Sequence, residues 1–483
     1  MYLCCSSTSS FLYEGVGQVL FSKYAHLYRL GNDVVLINSL RLKPVYLSYN
    51  KFITIKEFLE SGKECDFDEL VELKKYKIVI ENQKDDSRIL GFVKSHAPRP
   101  AVSVCYFILS EQCNLACKYC FLGNNDKEKR KHFYKQHMSQ EVADKAIFHF
   151  IEQLEWHQEH QDLESVRPVV IFYGGEPLLN YDVLKYVVKR FNQLKEEHEL
   201  LKNIEFSVVT NGLLLDEEKL RDLHDLKVSI AISIDGCDEK SNSMRVDTNG
   251  NPAFGRIVKV LDRIKELGVP VSLSITLTEE SIKNKQKMID LIKRYEIKGL
   301  GFNILMSDAN FILPESYSVD AANFIVDMFK TLRELGVYED RIMRKLNAFV
   351  NSQVYYSDCA ATAASQIVVA ANGDIGICHG CLADRKYFNH NVSESHLNLD
   401  NDLIWNEWST LSPIYKDECQ ECEALGICGG GCPINALKEK EGNTIHSMDR
   451  RFCVHSKACL EFFLEDLYRI IFKKKKKKKK ISL

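Results

Sequence analysis

The stretch that most constrains this chain is Cys113-Asn114-Leu115-Ala116-Cys117-Lys118-Tyr119-Cys120, three cysteines at C-x3-C-x2-C spacing. It directly follows an apolar run, Val102 to Leu109, that reads as a buried strand. Thiolates this close in sequence can wrap around one inorganic centre. A 4Fe–4S cube normally takes four cysteines, so three would leave one iron open to a ligand that is not protein. Structural zinc is the competing reading of close cysteine pairs, but it takes four ligands. No fourth Cys or His lies within the next ten residues, and the nearest is His132.

The rest of the composition fits such a centre. Seventeen cysteines without a secretion signal argue for metal chemistry in a reducing compartment, not for disulfides. With 483 residues, two or three domains are expected, and 45% hydrophobic with 27% charged residues is ordinary for a soluble globular protein. No apolar run reaches membrane-spanning length, and no signal pattern opens the chain. A cytoplasmic location is expected. The formal net charge of −3 hides the run Lys473–Lys480; without those lysines it falls to about −11. Eight like charges repel one another, which predicts a disordered, solvated tail with no nucleic-acid or membrane partner.

Residues 1–95 read as a small α+β module. His26–Leu30 and Val34–Ile37 flank Gly31-Asn32-Asp33 as two strands around a tight turn, and Pro44–Ser48 supplies a third. Helical patterns follow at Ile53–Ser61 and Phe67–Leu73, then a strand at Lys77–Ile80. Cys4, Cys5 and Cys65 have no ligand spacing. Ser95–Pro100, with two prolines in three residues, reads as a linker.

From 101 to about 310, helical patterns at Gln140–Gln158, Asp182–Glu197, Ala253–Leu267 and Ile282–Tyr295 alternate with apolar strands. Those strands are Val169–Tyr173, Glu205–Thr210, Val228–Ile234, Val271–Thr276 and Gly301–Leu305. Alternation of this kind predicts parallel strands joined by crossover helices. In such folds ligands sit at the carboxyl ends of the strands, and marked residues follow there. Tyr173-Gly174-Gly175-Glu176-Pro177 ends one strand, Thr210-Asn211-Gly212 the next, and Ser233-Ile234-Asp235-Gly236 a third, with Arg245 close behind. Paired glycines let backbone approach a ligand closely. Each turn alone is a weak signal.

The three-cysteine loop with these turns resembles the radical S-adenosylmethionine (SAM) superfamily, and six strands fit that family's partial (β/α)6 barrel. The resemblance implies a 4Fe–4S cluster on Cys113, Cys117 and Cys120, with SAM held by Tyr119, Gly174, Gly175, Glu176, Asn211, Ser233 and Arg245. Met306, just past the sixth strand, would contact adenine. It also implies that an electron from a reduced flavodoxin or ferredoxin-type donor cleaves SAM to a 5′-deoxyadenosyl radical. The N-terminal module is similar to the winged-helix-like, peptide-binding domain found ahead of many peptide-modifying members, where a leader peptide adds as a strand.

A helical connector, 311–354, carries a pattern at Ala321–Leu335 and leads to a second cysteine block. Cys359 and Cys378 are followed by Cys419-x2-Cys422-x5-Cys428-x3-Cys432 and then Cys453. Residues 355–460 thus resemble the SPASM domain, a cysteine-rich extension with two auxiliary 4Fe–4S clusters; 461–483 would be a C-terminal helix and the lysine tail. Family pattern gives one cluster Cys419, Cys422, Cys428 and Cys453, and the other Cys359, Cys378 and Cys432. The fourth ligand of the second is either Cys381 or an open site. Cys105, Cys237 and Cys459 read as ordinary buried or loop cysteines.

Members with this extension mostly modify ribosomally made peptides or proteins. The expected activity is therefore that of a peptide maturase installing a crosslink, with a thioether as one candidate bond and a precursor peptide as partner. The competing subgroup, anaerobic sulfatase-maturing enzymes, makes formylglycine. Those enzymes typically carry Asp directly after the cysteine aligned with Cys378; here it is His379, the candidate catalytic residue.

Overall fold

The computed structural model describes residues 19–61, 68–122, 136–161, 167–307, 311–438 and 444–481. Cys4, Cys5, Cys65 and His132 lie outside them. The chain forms two compact units. One draws on Met1–Pro98, Ile342–Cys359 and Leu411–Leu483, the other on Arg99–Arg341 and Ala360–Thr410. The sequence reading divides the chain into consecutive segments. The first of these units combines the N-terminal module with Ile342–Cys359 and Leu411–Leu483.

The second unit is built on one ten-stranded, mostly parallel sheet. Its strands are β6 (Val104–Ser110), β7 (Val169–Gly174), β8 (Glu205–Thr210), β9 (Val228–Ile234), β10 (Val271–Leu277), β11 (Gly299–Ile304), β12 (Tyr338–Glu339), β13 (Gln366–Val369), β14 (Asp374–Gly376) and β15 (Phe388–Asn391). The hydrogen-bonded order is β12-β11-β10-β9-β8-β7-β6-β13-β14-β15. The six strands expected from alternation are all present and parallel. Short β12 extends one edge, and β13 adds to β6 in parallel before β14 and β15 turn back antiparallel.

Local sequence explains the elements. In β9, Val228, Ile230, Ile232 and Ile234 are buried while the residues between them are not, the period-2 pattern of a strand with two unlike faces. The crossover helix Phe254–Leu267 buries Ile257, Val260, Leu261 and Ile264 at helical spacing, about 1.5–3 kcal/mol each. It stops at Gly268, which takes φ +66°, a conformation open to glycine without a steric penalty. The helix Glu217–Asp225 starts where the Asp216 carboxylate accepts the Lys219 N–H.

In the first unit, β2 (Ala25–Leu30), β3 (Asp33–Asn38) and β4 (Val45–Ser48) form an antiparallel sheet in that order. One face carries Val34, Leu36, Val45 and Leu47 and packs on Phe52, Ile55 and Leu59 of the helix Tyr49–Ser61. The other face meets the C-terminal helix Arg450–Ile481: Tyr46 Oη donates to the Leu464 carbonyl at 2.9 Å, the Tyr46 and Tyr468 rings lie 5.7 Å apart, and Tyr468 bonds Asp33. That helix takes in the backbone of Lys473–Lys480, where charge repulsion predicts disorder. Adding a residue to an existing helix fixes one residue for one hydrogen bond, which favours continuation. A helix at Lys84–Ser95 occupies a stretch without an assigned element in the sequence reading. No helix among the described residues is long and apolar enough to cross a membrane.

Candidate functional site

The three-cysteine loop leaves β6 at Ser110 and is fixed on two sides. Ala116 N–H donates to the Val246 carbonyl at 2.7 Å and Lys118 N–H to that of Met244 at 2.9 Å. The segment carrying Arg245 therefore pairs with the cysteines' own backbone. On the other side, Gly175 N–H donates to the Ser110 carbonyl at 2.8 Å and Glu176 N–H to that of Gln112 at 2.7 Å. A Cβ on Gly174, which takes φ +143°, would lie 2.2 Å from the Ser110 carbonyl oxygen. One on Gly175 would lie 2.2 Å from that of Gln112. The paired glycines admit a close approach, and the approaching group is the start of the cysteine loop.

Gly175→Ala should consequently displace the loop. The expected loss of stability is about 1–3 kcal/mol, while Gly255→Ala, with open space around its Cβ in the helix Phe254–Leu267, should be neutral or stabilising. Thermal melts of the two variants check this.

Glu176 is fully engaged and fixes β7 to β8. Its carboxylate accepts from Thr210 Oγ1 at 2.7 Å and from the N–H groups of Asn211 at 2.9 Å and Leu178 at 3.1 Å. Burial still pushes it above the usual carboxylate range. Asn211 in turn donates to Asn114 Oδ1 at 2.7 Å and reaches the Cys113 sulfur at 3.8 Å. The turn Thr210-Asn211-Gly212 at the end of β8 thus touches the cysteine loop directly.

Arg245 is buried in an ion pair with Asp235: Nε and Nη2 donate to Oδ1 at 3.0 and 2.8 Å. Nη2 also donates to Tyr119 Oη at 2.7 Å, and that hydroxyl bonds Asp235. The resemblance gives Arg245 a contact with SAM; Asp235 and Tyr119 already engage its Nε and Nη2, which leaves Nη1. Asp235 was legible only as the residue between Ile234 and Gly236. Its role needed the register of β9. Ser233 is partly exposed on β9 beside Ser274, and Asn303 reaches Ser274 Oγ at 3.1 Å, a polar row the sequence reading missed. Met306 lies just past β11 and is partly buried.

Burial raises the thiols of Cys113 and Cys117, the latter to about 12; Cys120 is a charged neighbour of both, and Cys117 of Cys113. His379 stacks on Tyr106 with ring centroids 4.7 Å apart, and Tyr173 and Phe121 lie at 4.9 and 5.8 Å. Burial pushes its ring down to about 4, so it is neutral near pH 7, and its Nδ1 is buried without a hydrogen-bond partner. Cys378, just before it, is raised chiefly by a hydrogen bond with the Cys381 thiol.

The first unit gathers Cys419, Cys422, Cys428 and Cys453. Cys453 is raised to about 12 by burial, then by Cys428, Cys419 and Cys422 in that order. Cys359 and Cys432 belong to this unit, Cys378 and Cys381 to the other. The Cys432 N–H donates to Asp449 at 3.2 Å. Among the described residues, no three Cys, His, Asp or Glu side chains converge on a single-ion site. A cube has a different iron for each thiolate, so its ligand sulfurs stand apart instead of meeting at one point. Cys105 and Cys459 are buried, and Cys237 contacts the Asn284 carbonyl at 3.8 Å.

A loop of three thiols, a glycine-dependent turn behind it and strand ends converging on it agree with the family comparison, in which residues 107–292 match the Radical SAM superfamily. This chain carries a radical SAM domain. Its relatives include the "Radical SAM cyclopropyl synthase TigE" of Paramaledivibacter caminithermalis, 24% identical over 76% of this chain and 72% of that protein. They also include a cysteine-type anaerobic sulfatase-maturating enzyme of Clostridium perfringens, 24% identical over 69% of this chain and 89% of the relative. Among solved structures, native anSMEcpe with bound AdoMet and Cp18Cys peptide is similar in fold, with TM-score 0.61 and 20% identity over 77% of this chain and 99% of that one. The radical SAM domain therefore sits in an α/β unit with a mostly parallel sheet, and the chain is a radical SAM superfamily enzyme.

Proposed function

We propose that this enzyme is a peptide maturase that crosslinks a ribosomally made precursor, with a thioether as the bond where the peptide supplies cysteine. The observation that carries the peptide reading is the free edge of β2. Among the described residues it is hydrogen-bonded to β3 on one side only, so an extended peptide can add there as a further strand. A relative named for sulfatase maturation is consistent with a protein substrate.

When bound, the cluster and SAM would supply a 5′-deoxyadenosyl radical on receipt of an electron from a flavodoxin or ferredoxin-type donor. Cys113, Cys117 and Cys120 would hold that cluster in this reading. Asn211 orients the Cys113 end of the loop, and Glu176 fixes Asn211 in turn. Arg245 offers Nη1 to a carboxylate while Asp235 and Tyr119 hold the guanidinium still. Gly174 and Gly175 present backbone beside the loop, Ser233 and Met306 extend the SAM surface, and neutral His379 is the candidate proton acceptor. The auxiliary clusters would use Cys419, Cys422, Cys428 and Cys453, and Cys359, Cys378 and Cys432 with Cys381.

The reading is tested by iron content and product. Ten family-register cysteines and Cys381 imply about twelve irons per chain after anaerobic reconstitution. Changing Cys113, Cys117 and Cys120 together to Ala should remove about four and abolish SAM cleavage. Stoichiometric zinc with little iron would defeat it. Mass spectrometry of a coexpressed candidate precursor decides the chemistry: a crosslink removes two hydrogens and keeps the sulfur, whereas conversion of Cys to formylglycine loses it.

A further inference from the structure

Strand β2 has a second polar feature on the face away from its own helices. Side chains alternate along a strand, so His26 and Tyr28 share a face, and Tyr24 continues it just before the strand begins. Tyr24 Oη donates to Gln420 Oε1 at 3.2 Å, inside the Cys419–Cys428 loop. A Cβ on Gly426 of the same loop would lie 2.2 Å from the Ser39 carbonyl oxygen, so the loop rests on the backbone that follows β3. Cys419 and Cys422 pack against the buried group of Tyr24, Leu40, Ile414 and Leu425. The N-terminal strands therefore form one wall around this cysteine set.

Two polar atoms on that wall are unsatisfied. Tyr28 Oη and His26 Nε2 are both buried and have no hydrogen-bond partner. Buried polar atoms are nearly always paired, and an orphan marks a partner the protein chain alone does not supply. The charged neighbours of Tyr28 are Glu423, Cys422 and Glu461, in decreasing order of influence. Glu423 is taken up by Lys457, whose ammonium lies 3.1 Å from Oε1. Glu461 comes last in that order, so after Glu423 the Cys422 sulfur is the foremost acceptor for a hydroxyl that burial keeps protonated. His26, lowered by burial to about 4, is neutral and carries a single ring N–H, so the Tyr28 hydroxyl is the donor on this wall.

We propose that Tyr28 donates a hydrogen bond to the sulfur ligands of a cluster held by Cys419, Cys422, Cys428 and Cys453, and so raises its reduction potential. The inference rests on the auxiliary-cluster reading above. Donors to cluster sulfurs stabilise the more negative, reduced state, and this outer contact is one of the levers that set the potential.

The test is an EPR-monitored redox titration of the reconstituted full chain and of Tyr28→Phe, which removes the hydroxyl and keeps the ring. Tyr28→Phe should bind the same iron as the unaltered chain and show a negative shift in the midpoint of one cluster only. A second measurement does not depend on the variant. The reduced unaltered chain exchanged into D2O should show a deuterium coupling at that cluster by pulsed EPR. Full iron with an unmoved midpoint, or no exchangeable coupling, overturns the assignment of Tyr28 while leaving the cluster in place. An unaltered chain that binds only about four irons overturns the auxiliary cluster itself.

Discussion

Arg245→Ala should cost this protein about 3–5 kcal/mol of stability, because it strands a buried carboxylate. Asp235 is fully buried and the guanidinium is its cationic partner, through Nε and Nη2. Desolvation already pushes Asp235 up, and Arg245 is the largest opposing influence. Without Arg245 the carboxyl would rise further. A group whose folded pKa lies above its unfolded value contributes stability at low pH and loses it as pH rises through the folded value. The deficit of Arg245→Ala should therefore shrink on acidification and grow toward neutral pH. Urea denaturation at several pH values measures it, and adding Asp235→Asn should recover part of the loss. A deficit that is small and flat with pH would show that the pair does not hold the site. A fall in SAM affinity in Arg245→Ala alone would mix lost binding with lost structure. Arg245→Lys keeps a charge for Asp235 and removes the fork, so it reports binding more cleanly.

The second large effect is expected on removing residues 1–98. A linker of Pro98 and Pro100 suggests a detachable recognition module whose loss would spare the rest. The structure gives the opposite expectation. Ile414 and Leu425 share a buried core with Tyr24, Leu40, Ile80, Ile89 and Val93, and exposing those two alone costs about 3–6 kcal/mol. The C-terminal helix would also lose Tyr46 and Asp33 as partners. If Cys419, Cys422, Cys428 and Cys453 hold a cluster as proposed, the truncated chain should lose about four irons while the ten-stranded sheet melts as before. Iron analysis with thermal melts monitored by circular dichroism distinguishes the outcomes. Full iron in the truncated chain would mean that the module is separable after all.

The periodicities of this chain determined its sheet. Strands such as Glu205–Thr210 and Val228–Ile234 occupy the residues their alternation marks, since a strand with one buried face must repeat every second residue. The cysteine spacings and the Gly-Gly turn marked the site for a similar reason: they are local, and chemistry between near neighbours is written in the spacing. What lay far apart in sequence was not legible. The pairing of Arg245 with Asp235 and Tyr119 depends on the loop after β9 returning to the three-cysteine loop, and Glu176 meets Thr210 only because β7 and β8 are neighbours in register. The glycines were read as room for a ligand, but a sequence cannot say which backbone comes close; the fold assigns Gly175 to Gln112. The same holds for the N-terminal module. Both faces of its sheet are apolar enough to be buried, and composition cannot distinguish a face that binds its own helices from one that closes over a cysteine loop some 400 residues away. Only the tertiary structure decided that, because burial satisfies each face whatever the sequence distance of the partner.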